Sequence, residues 1–295
     1  MSAPAFNIPS PNITQLLVHD FSAKECTQFR WLQSETGMLI SGSTAIEFFK
    51  SARYPDSDLD LFVQHEYAYA VIDWLQKSGY AFEPRASQIK NIAGALAQSL
   101  EEENPMSLLD YHNECIANIY MFFREHSRPI HLITSRHSAF EIILCFHSSE
   151  CPFKLLTFNT PLTKHWVKAC VMNFITHNNA YSLFLHATFV QYRSLSKPLS
   201  DEVEIAAKCK YELRGWTFED PKDEYAVQSV PDLADCPRSV GDERMWTVAL
   251  EPGLDLQRDD ITDNTWYHTR TDSNELEMQY GRYNSSLLRY KYVRY

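Results

Sequence analysis

Two short stretches of this chain carry residues that could do chemistry. Leu39-Ile40-Ser41-Gly42-Ser43 ends a short apolar run in a Gly-Ser turn, and Asp58-Leu59-Asp60-Leu61-Phe62-Val63 places two aspartates at i and i+2. In an extended strand those positions share a face. Asp58 and Asp60 therefore present both carboxylates to one spot, while Leu59, Leu61 and Val63 turn to the opposite side. Adjacent carboxylates raise one another's pKa unless a cation lies between them. Mg²⁺ is the expected cation, because it takes hard oxygen ligands and bridges them to the phosphates of a nucleotide. Asp56 has the same parity, but its place after Pro55 suits a turn or cap better.

The elements that must position these residues follow from periodicity. Helices are expected over 21–33, 44–52 and 66–78, and strands over 38–40 and 58–63. A polar stretch, 84–105, separates these from two apolar, β-compatible segments at 116–123 and 130–134. A helix over 138–146 has Ser138 as candidate N-cap and Glu141 in the capping-box position. This order predicts an α+β fold, a mixed sheet with helices packed on it. Further helices are expected over 162–169, 181–195 and 201–213, with Pro198 between the last two.

The Gly-Ser turn, the helix behind it and the Asp-Leu-Asp strand together resemble the signature of the polymerase-beta-like nucleotidyltransferase superfamily. Its pattern is filled here by Ile40, Ser41, Gly42 and Ser43, then Asp58, Leu59, Asp60 and Leu61. The resemblance covers residues 38–146. It implies a nucleotidyltransferase-like palm in which Asp58 and Asp60 hold Mg²⁺ and Gly42 and Ser43 hold the phosphates of a nucleoside triphosphate such as ATP. Glycine lets a phosphate approach the backbone, and a helix N-terminus attracts anions. The family completes a two-metal site with a third carboxylate on a later strand. Here that strand reads Arg128-Pro129-Ile130-His131-Leu132-Ile133, so His131 stands where the carboxylate is expected. Imidazole suits Mg²⁺ poorly, yet His131 could act as a general base. Its plainer role is a hydrogen-bonded strand histidine. Asp110, Glu114 or Glu125 are alternative third carboxylates.

Two functions stay open from this reading. One is a transferase that binds Mg-NTP and passes a nucleotidyl group to an unspecified hydroxyl acceptor. The other is a catalytically degenerate member, a pseudoenzyme that binds a nucleotide or a protein. A plain interaction domain, with the aspartates as surface charge, is the bland alternative to both. Lys50, Arg53 and Arg136 could reach a triphosphate, although exposed cations are ordinary on any surface. His147 fits a helix-end cap.

The bulk properties narrow the partners. A net charge of −11 argues against strong general affinity for nucleic acid or for acidic membranes. No apolar run is long enough to span a bilayer, and the first fifteen residues lack the pattern of a signal peptide. Seven cysteines without a CxxC pair suggest reduced thiols in a cytoplasmic, intracellular protein. The expected organisation is a loose leader over 1–14, a nucleotidyltransferase-like domain over 15–219 with an insertion over 149–169, and a C-terminal region over 220–295. That last region is acidic and loop-rich and ends in a Tyr/Arg-rich segment, which could stack on nucleic acid or pack as a strand.

Overall fold

The computed structural model describes residues 12–86, 88–101, 116–145, 169–195, 202–219, 238–251, 254, 259–270 and 276–282. In chain order these form α1 (Ile13–Leu17), α2 (Ala23–Thr36), β1 (Leu39–Ser41), α3 (Gly42–Lys50), β2 (Leu59–Gln64), α4 (Ala68–Lys77), β3 (Ala81–Glu83), α5 (Ile92–Glu101), β4 (Ile116–Phe123), β5 (Ile130–Ser135) and α6 (Ala139–Cys145). They continue with β6 (Asn173–Ile175), β7 (Asn179–Ser182), a π-helix (His186–Val190), β8 (Arg193–Leu195), α7 (Glu202–Leu213), β9 (Thr217–Glu219), β10 (Arg238–Ser239), β11 (Trp246–Ala249), β12 (Asn264–Arg270) and β13 (Leu276–Arg282).

The fold is α+β. Eight strands form one mixed sheet in the order β11-β7-β6-β1-β2-β5-β4-β3. β2 and β5 run parallel, and the other described pairings in this sheet are antiparallel. Each face of the sheet buries its own core. Ile40, Leu59, Leu61, Val63, Ile130 and Leu132 belong to one cluster, packed with α1, α2 and α4 residues such as Ile13, Phe29 and Leu75. Leu39, Phe62 and Ile133 belong to the other, packed with Phe140, Ile143, Tyr211, Trp216 and Trp266. This is the strand parity at work. The odd-numbered apolar residues of β2 leave for one core, and Asp60 shares its face with Phe62.

Helix α2 starts with a full capping box, Ser22 Oγ accepting from Glu25 N and Glu25 Oε2 accepting from Ser22 N. It ends at Gly37 in the left-handed region, φ 65°. Helix α1 begins inside the stretch expected to be a leader, with Ile13 and Leu17 fully buried and Asn12 Oδ1 capping its first amides.

Three expectations differ from the structure. The polar stretch 84–105 contains α5, whose Ala-rich sequence has high helix propensity. The expected helix over 181–195 is instead a strand, a π-helix and a second strand. β7 is a strand because β6 and β11 pair with it on either side. The region from 220 onward, expected to be loop-rich, supplies β10 and β11 and the start of β12. The expected helix 162–168, most of the insertion 149–169 and the Tyr/Arg-rich segment after Arg282 lie outside the described residues. Among the described residues, no helix is long and apolar enough to cross a membrane.

Candidate functional site

The two motifs found in sequence meet at the junction of β1, α3 and β2. Gly42 opens α3 with φ 65°, a conformation that disfavours side chains. A Cβ at this position would collide with Asp60 Oδ2, so only glycine lets the aspartate lie over the helix start. Ser41, Asp60 and His131 form one row across three strands, because Ser41 pairs with Asp60 and Asp60 pairs with His131. Ser41 is the N-cap residue of α3 but makes no side-chain cap bond. Its hydroxyl donates instead to the Asn173 carbonyl at 2.6 Å.

His131 sits against both aspartates. Its Nδ1 is 3.2 Å from Asp60 Oδ1 and 3.8 Å from Asp58 Oδ2. The imidazole side chain is 8% exposed, against 21% for Asp60 and 37% for Asp58. Asp58 lies one residue before β2 and keeps the greater access to solvent. Burial and the neighbouring Asp60 charge raise its pKa, and His131, Lys210 and Arg128 offset part of that rise. For His131, burial opposes protonation, but the hydrogen bond it donates to Asp60 and the charges of Asp60 and Asp58 outweigh it and raise the imidazole pKa. An ionised carboxylate only accepts, so His131 Nδ1 carries the proton in this contact.

The end of α7 forms the opposite wall, and sequence reasoning missed it. Arg214 Nη1 donates to Ser43 Oγ at 2.9 Å and Nη2 to Ser57 Oγ at 3.1 Å. Its guanidinium stacks on the Tyr54 ring at 3.8 Å. Tyr211 OH is 3.4 Å from Ser43 Oγ, and burial raises the Tyr211 pKa, which keeps the phenol protonated. Lys210 precedes it and feels Asp60, Asp58 and Asp56 together. Desolvation and the Arg214 charge lower the Lys210 pKa, and the three aspartates pull it back up. The available signal was two basic residues four apart, Lys210 in the last turn of α7 and Arg214 one residue beyond its end. Nothing local to that turn says which surface it meets.

Other expected residues lie elsewhere. Ser43 is in place but 4% exposed, its hydroxyl already engaged by Arg214. Lys50 Nζ donates to the Arg214 carbonyl at 3.2 Å and lies over the Trp216 ring, so it braces α7. Arg53 Nη1 donates to His19 Nε2 at 2.9 Å. Those two residues line a cavity of about 300 Å³ with Glu47 and Arg128, whose charges pair with each other at 2.9 Å. Glu125 is exposed on the β4–β5 turn and pairs with His126. Asp110, Glu114 and His147 lie outside the described residues.

The donor set decides what cation would suit. Among the described residues, no group of three or more His, Cys, Asp or Glu side chains could hold a metal ion. Asp58 and Asp60 offer two carboxylate donors with partial solvent access, and Asp60 lies directly over the Gly42 helix start. That fits one Mg²⁺ completed by phosphate and water oxygens, since Mg²⁺ commonly uses one or two carboxylates plus substrate phosphates. Comparisons of the chain with protein-family models, with curated proteins and with solved structures find no match.

Proposed function

We propose that this chain is a nucleotidyltransferase-like protein that binds a Mg²⁺-nucleoside triphosphate at Gly42, Ser43, Asp58 and Asp60. The observation that carries this reading is the fit of Asp60 over Gly42. Two motifs separated in sequence come together so closely that a Cβ on residue 42 would displace the Asp60 carboxylate. Asp58 and Asp60 would hold the cation, which supplies charge neutralisation for the phosphates. The α3 N-terminus would face the anion with its first amides. Arg214 and Lys210 add positive charge from α7 on the same side.

A second reading, binding without turnover, is favoured by His131. Transfer to a hydroxyl acceptor calls for a group that takes the acceptor's proton and balances a second cation. At the strand position next to Asp60 this chain has an imidazole already donating to that aspartate. An imidazole also brings no negative charge to balance a second cation, and its Nδ1 is taken up by Asp60.

Calorimetric titration of each common NTP with Mg²⁺, into wild type and into Asp58→Ala/Asp60→Ala, tests the proposal. Binding that needs Mg²⁺ and is lost in the double variant is expected. A folded wild type that binds no NTP would overturn it and direct attention to a protein partner.

A further inference from the structure

We infer that the cavity between α1 and the C-terminal end of α3 binds a small organic carboxylate, whose oxygens Arg53 and His19 hold. This site is separate from Gly42 and Asp60, and the inference does not depend on the triphosphate reading.

Three pieces of chain build the cavity. α1 supplies Gln15 and Leu16, with His19 just beyond its end. α3 supplies Glu47 and Phe48, and the turn that follows supplies Ser51, Ala52 and Arg53. Arg128 completes the lining, and the enclosed volume of about 300 Å³ is at the lower end for ligand pockets, which suits a compact molecule.

Charge selects the ligand. Arg128 and Glu47 are buried and paired with each other, and Arg128 also pairs with Asp20. Arg53 is exposed, and among the described residues it has no carboxylate partner. Its Nη1 donates to a neutral acceptor, His19 Nε2, at 2.9 Å. A guanidinium only donates, so this imidazole is neutral and carries its proton on Nδ1. That N–H has no partner among the described residues. The pair therefore offers several spare donors and a single positive charge. One negative charge matches it, which a carboxylate brings, whereas a phosphate monoester brings nearly two. The planar guanidinium fork also fits a carboxylate edge. Leu16, Phe48 and Ala52 give apolar surface for the rest of the molecule.

The turn at Ser51 gives the same answer. Ser51 closes α3 with φ 47°, in the left-handed region where glycine is the usual residue. Serine here costs backbone strain of the kind that clusters at ligand sites, and it places a hydroxyl-bearing residue on the cavity wall.

NMR titration of the full-length chain tests the inference. The probes are benzoate and butanoate, with benzyl alcohol as the neutral counterpart and inorganic phosphate as the competing anion. The His19 imidazole resonance, assigned through His19→Gln, reports where binding occurs. We expect both carboxylates to shift it saturably, benzyl alcohol to leave it in place, and phosphate to bind at least about tenfold more weakly. Arg53→Gln should weaken carboxylate binding at least about tenfold, because a charge-assisted hydrogen bond is lost. Arg53→Lys should restore only part of it, because the charge returns without the fork. A folded wild type that binds neither carboxylate would overturn the inference, as would Arg53→Gln binding them like wild type. Benzyl alcohol binding as well as benzoate would overturn the role of charge, and phosphate binding as tightly as benzoate would overturn the choice of a carboxylate.

Discussion

Two charge clusters pack against α3, and they solve the same problem differently. Along the middle of the helix, Arg128 bonds to Asp20 and Glu47, with N–O distances of 2.6 and 2.9 Å, and also donates to Thr44 Oγ1. All three charged side chains are buried. At the N-terminal end, Asp58 and Asp60 are only partly buried and are compensated by His131, Lys210 and Arg128 without close guanidinium forks. The first cluster is closed: one buried guanidinium bridges both carboxylates. The second keeps solvent access and lasting repulsion between its two acids. A fold can carry that repulsion where an outside cation completes the site.

The largest expected effect comes from breaking the closed cluster. Arg128→Met leaves Asp20 and Glu47 buried without their partner and should cost about 3–5 kcal/mol of stability, read from urea unfolding. A loss below about 1 kcal/mol would mean that this cluster is no tighter than a surface pair.

Gly42→Ala should come next. The left-handed backbone disfavours a side chain by about 1–2 kcal/mol, and the new Cβ must push Asp60 aside. We expect destabilisation of that order together with at least a tenfold loss of Mg²⁺-triphosphate affinity, measured by calorimetry. Unchanged affinity in a folded variant would separate Asp60 from the phosphate site.

Asp58→Asn should distinguish the two clusters most directly. The raised Asp58 pKa means that ionisation is disfavoured in the folded state. The carboxyl's contribution to stability is therefore present at acid pH, below its unfolded value, and is lost as pH rises through the folded value. Wild type should lose ground to Asp58→Asn between pH 4 and pH 7 in melting temperature. At neutral pH the variant should be as stable as wild type or more so, within about 1 kcal/mol, because the group is partly exposed. A variant clearly less stable at pH 7 would make this cluster a structural one like that of Arg128.

The smallest effect concerns His131. Its pKa is raised in the folded state, so its pairing with the aspartates stabilises fully below the unfolded value of about 6.5 and is lost as pH climbs through the raised one. The melting-temperature gap between wild type and His131→Asn should narrow from pH 6 to pH 9. A constant gap would show that packing, not charge, accounts for the histidine.

Much of the site was legible because its signals are local. The Gly-Ser turn and the Asp-Leu-Asp alternation each fit within six residues, and period-2 parity assigned Leu59, Leu61 and Val63 to one core before any partner strand was known. His131 was found the same way, as a polar residue between apolar strand neighbours. The misreadings share a cause. Residues 181–195 have an apolar content that suits helix or strand equally, and β7 was decided by pairing with β11, more than sixty residues away. β11 in turn lay in a stretch whose composition suggested loops, since a strand of four residues shows little periodicity by itself.

The amino-acid sequence by itself determined the Gly42 turn, the paired aspartates and a polar His131 within an apolar strand. These depend on backbone freedom and side-chain alternation over a few residues. The tertiary structure alone decided that Asp60 lies on Gly42, that His131 faces both carboxylates, and that Arg214 reaches Ser43 across 171 residues of chain. Strand register and helix docking are set by the burial of two separate cores, and no local pattern encodes which distant surface will complete them.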